Sequence, residues 1–391
     1  LSYEVKFQEE AFLPFSKPTI SQEAIGDVVE CLNSGWITSG PKVQKFEEAL
    51  GAYLGAPYVL SLTSATAGLF LALKALDLRP GDEVITTSLT FVATLNTIVH
   101  AGGKPVLVDI DKTYNMDVKQ IEQVISSRTR AIMPVHFTGL SVNLDPIYAL
   151  TKKHHLHVIE DAAQAIGSGY KNKKIGSFGD MQVFSFHPNK NMTTIEGGCI
   201  ALRDEELFKK LKHLRFHGID RDAFNRFSKS GSQHYDVVEA GYKYNMPDVH
   251  AALGLHQLAS LDSFIEKRKS LAKNYMDAFK GWSQITLPQL PSYDHDHSWH
   301  LFSVLIHPEE SGVTRDQFIE EMKKFNIGTG LHYQPVHLFT YYQDMFGFYK
   351  GEFPVAERVT NRIVSLPLFP TMSTKDQERV IQAMAKIFKR G

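Results

Sequence analysis

Lys190 lies in the segment Ser185-Phe186-His187-Pro188-Asn189-Lys190-Asn191, just past an apolar run that ends at Phe186. Open α/β sheets bind ligands beyond the C-terminal edge of their strands, and a lysine there can serve as a nucleophilic amine. Most loop lysines are merely solvated, so the neighbours decide. Gly197 and Gly198 follow closely and would let backbone and ligand approach each other.

Three further segments carry groups that suit the same site. Asp161 closes the apolar run Val158-Ile159-Glu160-Asp161 and is followed by Ala162-Ala163-Gln164, whose alanines are too small to hide it. Read alone, Asp161 fits a helix cap as well as it fits an acid paired with a protonated pyridine nitrogen. In the second case the ring would be an electron sink for a carbanion. Strand alternation turns Glu160 to the opposite face. Thr63-Ser64-Ala65-Thr66-Ala67-Gly68 is a small-residue run entering a helix, where free N–H groups and the helix dipole suit a phosphate, with Ser185 offering a further hydroxyl. Such helix starts are common without a ligand. In Thr90-Phe91-Val92-Ala93 the ring of Phe91 could stack on a flat cofactor, although most phenylalanines so placed are core.

Short β-rich runs must alternate with helices to gather these segments at one edge, and they do so through the first two thirds of the chain. The expected strands are 83–87, 105–110, 131–136, 157–161, 182–186 and 199–202, mostly continuous apolar runs of the kind buried on both faces. Helices are expected at 65–76, capped by Ser64, and at 118–126, capped by Asp117. After about Ala251 a long helical pattern runs through Asn274 and Ala278, followed by a connector with Pro288 and Pro291 and by mixed strand and helix. The fold class is therefore α/β: a large, mostly parallel-sheet domain over 1–250 and a smaller α+β domain over 251–391.

The chain of 391 residues, 43% of them apolar, can bury a large core. Its 42 basic and 43 acidic residues are interspersed, which gives no reason to expect nucleic acid or an anionic membrane as partner. Cys31 and Cys199 stand alone, so no disulfide framework or CxxC motif is expected and a cytoplasmic location is the default. No apolar run reaches spanning length, and charged residues interrupt the N-terminal stretch, so neither signal peptide nor membrane span is expected. No GxGxxG follows an early strand, which speaks against a dinucleotide-dependent oxidoreductase. Asp294-His295-Asp296-His297 with His300 lacks ordered ligand spacing and reads as a polar loop, so no metal site is expected. The aperiodic polar stretch Arg221 to Val237 reads as a long loop that covers the site or crosses to a partner.

Taken together, the segments resemble the sugar aminotransferases of the DegT/DnrJ/EryC1/StrS family, which are fold type I pyridoxal-phosphate (PLP) enzymes. The resemblance runs from Phe12-Leu13-Pro14-Phe15 to Ser365-Leu366-Pro367-Leu368-Phe369-Pro370. Its carriers are Ser34 to Pro41, Thr63 to Gly68, Glu160 to Gln164, Ser185-Phe186-His187 with Lys190-Asn191, and Gly241 to Asp248. It implies that Lys190 holds PLP as a Schiff base and shuttles the proton, that Asp161 pairs with the pyridine nitrogen, and that Phe91 stacks on the ring. Gln164 would sit near the cofactor's 3-hydroxyl. Ser64, Ala65 and Ser185 would hold the phosphate, with Asn245 reaching in from the other subunit of a homodimer. Trp36, Thr38, His187 and His332 are the implied substrate contacts.

Members of the family that remove a 3-hydroxyl carry histidine where this chain has Lys190, so the resemblance favours amino transfer over dehydration. A non-catalytic PLP-binding regulator would call for a basic face or a DNA-binding domain, which the even charge does not suggest. Within the family the chain is similar to UDP-4-amino-4-deoxy-L-arabinose synthases, through Phe216-His217-Gly218, Gly241 to Asp248, His297 to Phe302 and Gly328 to His332. That similarity implies glutamate as amine donor, a UDP-4-keto-pentose as acceptor, and a place in lipopolysaccharide biosynthesis through lipid A modification. The chain departs from that group at Pro188-Asn189, at Phe91 where tryptophan is usual, and at Gln164 where histidine is usual. Aminotransferases of 4-keto-6-deoxyhexoses linked to UDP, dTDP or GDP vary at similar positions and are the alternative.

Overall fold

The structure is a computed structural model that describes residues 11–220 and 235–389. Most of the stretch expected as a loop over 221–237 lies outside the described residues.

Seven strands form the main sheet: β1 (Tyr58–Leu62), β2 (Glu83–Thr87), β3 (Lys104–Val108), β4 (Thr129–Ile132), β5 (His157–Asp161), and two later strands reached after a hairpin of β6 (Gly169–Tyr170) and β7 (Lys173–Lys174). Those two are β8 (Met181–Ser185) and β9 (Gly198–Leu202), and the spatial order is β1-β9-β8-β5-β4-β2-β3. All pairs from β8 to β3 are parallel, whereas β9 runs antiparallel to both β1 and β8. The expected mostly parallel sheet is thus present. Antiparallel neighbours need no crossover helix, so the segment that carries Lys190 leaves β8 and returns directly as β9.

Strand residues alternate between two apolar layers. Val158 and Phe184 face a core shared with Phe46 and Leu50 of the helix Pro41–Leu54, while Ile159 and Val183 face one shared with Leu69 and Leu73 of the helix Ala65–Ala75. The latter helix starts where Ser64 Oγ accepts from Ala67 N at 3.1 Å, and Asp117 caps Val118–Val124 by accepting from Lys119 N at 3.1 Å, as the sequence leads one to expect. Two strand expectations need correction. The run 131–136 pairs only over Thr129–Ile132, because Pro134 has no N–H for the ladder; its carbonyl instead accepts from Asp161 N at 2.8 Å. Strand β1 is an addition to the expected set, since Ser61 interrupts a short apolar run. Ser61 is fully buried, and Glu47 Oε1 accepts from both its N–H and its hydroxyl at 2.7 Å.

A second sheet of β10 (Ile285–Thr286), β12 (Phe302–Ile306) and β13 (Ile363–Leu366) is wholly antiparallel, and β11 (His295–Asp296) joins the β6–β7 hairpin. The expected division at 250/251 does not cut cleanly between the cores. Leu13 is buried in the smaller core and bridges Ile327, and the helix Asp248–Ala278 serves both cores. Its Leu258, Leu261 and Ile265 pack under the main sheet, and its Leu271, Ala272 and Tyr275 pack under the smaller one.

Between those two stretches stands Arg268, 2% exposed, whose Nη1 donates to the carbonyls of Leu368 at 2.8 Å, His300 at 3.3 Å and Trp299 at 3.4 Å. Burial pulls its guanidinium down to about 10, and the hydrogen bonds are what make the buried charge tolerable. Arg268→Met should therefore lower unfolding stability by about 2–3 kcal/mol, the scale of charged hydrogen bonds left unmade. Chemical denaturation that gives an unchanged midpoint would contradict this role.

Candidate active site

In a parallel sheet the C-terminal ends of the strands emerge at one edge, and this edge gathers the chemistry. Asp161 ends β5, Ser185 ends β8, Ser64 follows β1 and Phe91 follows β2. A cleft of about 380 Å³ opens there, and its lining includes Ser64, Ala65, Phe91, Asp161, Gln164, Ser185, His187, Lys190 and His332. Nine of the twelve residues singled out from the sequence thus meet in one cleft. Trp36, Thr38 and Asn245 do not line it.

Lys190 is half-buried in the cleft wall. Burial lowers its ammonium to about 8, and the facing Asp161 carboxylate opposes that shift. Burial likewise pushes Asp161 upward, against hydrogen bonds from Thr94 and Ala163 and the charge of Lys190. Its Oδ2 accepts from Thr94 Oγ1 at 2.8 Å and its Oδ1 from Ala163 N at 3.2 Å, and since turns rather than a helix follow β5, it is not a helix cap. Glu160 faces away, as alternation requires: its carboxylate meets His136 Nε2 at 2.8 Å, the Tyr148 hydroxyl at 2.5 Å and Gln182 Nε2 at 2.8 Å.

Around this pair the other groups are held by the scaffold. Gln164 Oε1 accepts from Thr138 N at 2.7 Å and its Nε2 donates to the Tyr333 hydroxyl at 2.9 Å, which fixes the amide's orientation. Phe91 is 56% exposed, so it belongs to the cleft rather than to the core, with its ring 5.8 Å from that of Tyr333. His332 is buried and drawn down to about 4, first by burial and then by Lys190; its Nδ1 meets Ser365 Oγ at 2.9 Å. It is neutral at physiological pH. His187 is exposed, and its Nδ1 lies 2.9 Å from Asn189 Oδ1. Ser64 spends an oxygen lone pair on Ala67 N, which leaves its hydroxyl proton and the N–H groups of the first helical turn to face the cleft.

Gly198 proves to serve a purpose other than the expected one. A Cβ there would stand 2.5 Å from Ala65 N and 2.7 Å from Ser64 C, so the missing side chain lets β9 approach the helix start itself rather than a ligand. Gly197 does line the cleft.

The three residues outside the cleft form a second cluster. Thr38 O accepts from Asp248 N at 3.1 Å, and Asn245 Nδ2 donates to Ser39 Oγ while its Oδ1 accepts from Lys243 Nζ. The Trp36 indole packs across Gly40. Asp248 ties this cluster together: Oδ1 accepts from Gly40 N at 2.8 Å and Val43 N at 2.9 Å, and Oδ2 from Lys42 N at 3.1 Å, capping the helix that begins at Pro41. The segment 294–300 has its own partners: His295 Nδ1 meets Tyr293 O at 2.8 Å, Asp296 pairs with Lys269 at 2.9 Å, and His297 stacks on Trp299.

Sequence reasoning missed Thr94, Tyr333 and Thr138. For Thr94 a signal existed in the pair of threonines, Thr90 and Thr94, that flank a helix start. Tyr333 follows directly on the Gly328 to His332 motif, but its bond to Gln164 crosses 169 positions and leaves no local trace.

Only the neutral amine of Lys190 is nucleophilic, and with a pKa near 8 that form dominates from mildly alkaline pH upward. Reductive methylation of Lys190 should therefore rise with pH and level off above about 8, while solvated lysines continue rising toward their ordinary range near 10.4. Peptide mapping by mass spectrometry at several pH values reads this directly, and a Lys190 profile like that of surface lysines would refute it.

Comparison with known proteins agrees with this geometry. The model of the DegT/DnrJ/EryC1/StrS aminotransferase family matches residues 18–385. Spore coat polysaccharide biosynthesis protein SpsC of Bacillus subtilis is 46% identical over 380 residues, covering 97% of each chain. The UDP-4-amino-4-deoxy-L-arabinose--oxoglutarate aminotransferase of Shewanella sediminis is 43% identical over 383 residues, covering 96% of this chain and 98% of the other. A Streptococcus pneumoniae protein assigned as a sugar aminotransferase and solved in its PLP form superposes with a TM-score of 0.89 at 33% identity, over 97% of this chain and 99% of that one. The matched span includes every segment that builds the cleft, and the chain belongs to the DegT/DnrJ/EryC1/StrS aminotransferase family.

Proposed function

We propose that this protein moves the amino group of glutamate to carbon 4 of a nucleotide-linked keto-sugar, with a UDP-4-keto-pentose as the preferred acceptor. Members of this family are PLP-dependent sugar aminotransferases, and so is this chain. The observation that carries the reading is the meeting of Lys190, from the β8–β9 connection, and Asp161, from the end of β5, with the helix start at Ser64 in one cleft.

The residues present fit PLP. The half-buried Lys190 amine suits its aldehyde, the buried Asp161 carboxylate its ring nitrogen, the exposed Phe91 ring its face, and the helix start with Ser64, Ala65 and Ser185 its phosphate. Gln164 retains an Nε2 hydrogen for the 3-hydroxyl. When bound, PLP supplies the electron sink that lets a C–H bond beside the substrate nitrogen ionise. Lys190, in the neutral form that its lowered pKa makes accessible, takes the proton from the α-carbon of glutamate and delivers one to the sugar carbon that gains the amine. Asp161 would offer its carboxylate to the ring nitrogen, and His332, being neutral, can give or accept a hydrogen bond without adding positive charge to the cleft.

Asn245, Trp36 and Thr38 fit a homodimer in which each chain lends this cluster to its partner's cleft. The exposed apolar stripe of Ile25, Val29 and Leu32 on the helix Gln22–Asn33 supports such a contact, being 45%, 47% and 53% exposed. The pentose is supported by the relative at 43% identity, while SpsC at 46%, named for spore coat polysaccharide, keeps 4-keto-6-deoxyhexoses as the second reading. A cytoplasmic location and a role in lipid A modification accompany the pentose reading. Among the described residues no helix is long and apolar enough to cross a membrane.

Purified protein incubated with PLP should gain a visible absorbance band that shifts on adding glutamate and returns on adding UDP-4-keto-pentose. Return only with a 4-keto-6-deoxyhexose would replace the substrate; no band at all would remove Lys190 from its role. Lys190→Ala should lower amino transfer by roughly 10²- to 10⁴-fold, the usual range for a lost acid-base group. Sedimentation velocity should give a dimer, and a monomer at all concentrations tested would overturn the shared site.

A further inference from the structure

Threonine hydroxyls near a helix start commonly bond back to the carbonyl four residues earlier. Thr97 does so, donating to Ala93 O at 2.9 Å. Thr94, on the same helix Val92–His100, instead reaches Asp161 Oδ2 at 2.8 Å, and Thr90 Oγ1 lies 2.8 Å behind it. Thr94 is fully buried and Thr90 is 2% exposed, so bulk water does not readily stand in for either hydroxyl.

The direction of these bonds follows from counting protons. An ionised carboxylate only accepts, so Thr94 must give Asp161 its single hydroxyl proton. Thr94 then has only lone pairs to offer Thr90, and Thr90 must donate to it. We propose that Thr94, backed by Thr90, is the positioning residue of the acid: a two-hydroxyl relay of fixed polarity that holds Asp161 ionised and oriented toward the ring nitrogen of PLP. This rests on the reading of Asp161 as that nitrogen's partner.

The surroundings of Asp161 show why a relay is needed. Burial favours its neutral form, and the charged or titratable groups that face it are Lys190 from the β8–β9 connection, His136 after β4, and Tyr333. Lys190 favours the carboxylate, but it must give up its own charge to act as a base. The hydroxyls are donors that do not change with pH. They keep the acid charged while Lys190 changes state. The segment 90–94 therefore contributes twice, through the Phe91 ring in the cleft and through the two hydroxyls beneath it.

The test uses Thr94→Val, Thr94→Ser, Thr90→Val, the double variant Thr90→Val/Thr94→Val, and Asp161→Ala. Each is read by PLP affinity, from absorbance titration, and by the pH at which the bound cofactor's absorbance changes. Thr94→Val should bind PLP about tenfold more weakly and shift that pH, as expected for one lost charge-assisted hydrogen bond, while Thr94→Ser should stay near the parent. Thr90→Val should show a smaller effect of the same sign, and the double variant should be no worse than Thr94→Val alone, because Thr90 acts through Thr94. Additive losses, or a Thr94→Val protein with parental affinity and pH response beside an impaired Asp161→Ala, would overturn the relay and leave the Asp161 reading standing. An unimpaired Asp161→Ala would overturn both. If Thr94→Val folds poorly, Thr94→Ser against Thr90→Val carries the same comparison.

Discussion

Much of this fold answers to the placing of an amine and a carboxylate, largely shielded from water, in the same cleft. Lys190 and Asp161 would each be pushed toward neutrality by burial, and each is the counter-charge that resists this in the other. That arrangement requires two strand ends to stand side by side. The parallel pairing of β5 with β8, in register from Ile159–Met181 to Asp161–Val183, provides it. The antiparallel return of β9 then fastens the lysine segment at both ends. Hydrogen bonds from Thr94 and Ala163 complete the solvation of the acid.

What the sequence reveals of this site is local in nature. An acid closing an apolar strand, a lysine just beyond another, and a small-residue helix start are each written within a few consecutive positions. Lys190, Asp161, Ser64 and Ser185 are therefore legible in the sequence alone, as are the mostly parallel sheet and the caps at Ser64 and Asp117. The partners of these groups are not, because they come from far along the chain: Thr94 is 67 positions from Asp161, and Tyr333 is 169 from Gln164. Where sequence and structure part, a local rule gives way to a long-range contact. Ser61 hides β1 because its polar groups are satisfied by Glu47, and Gly198 reads locally as room for a ligand when the helix start occupies that space.

The two bodies of the protein are coupled through shared parts. The helix Asp248–Ala278 enters both cores, Arg268 on it holds carbonyls from two later segments, and Gln164 of the main sheet's edge bonds Tyr333, whose carbonyl accepts from Thr360 at 2.6 Å. The cleft wall formed by His332 and Tyr333 is thus anchored to the helix Pro354–Thr360 through Thr360 and to the smaller sheet through Ser365 of β13, while the amine and acid belong to the larger.

Asp248 has a bearing on how such chains can be recombined. Its carboxylate clasps the backbone of Gly40, Lys42 and Val43, which lie up to 208 positions away. Stretches 34–43 and 241–248 therefore form one structural unit despite their distance in the sequence. A chimera between relatives that exchanges one stretch without the other risks mismatching clasp and helix start, and crossover points are better placed so that both come from the same parent.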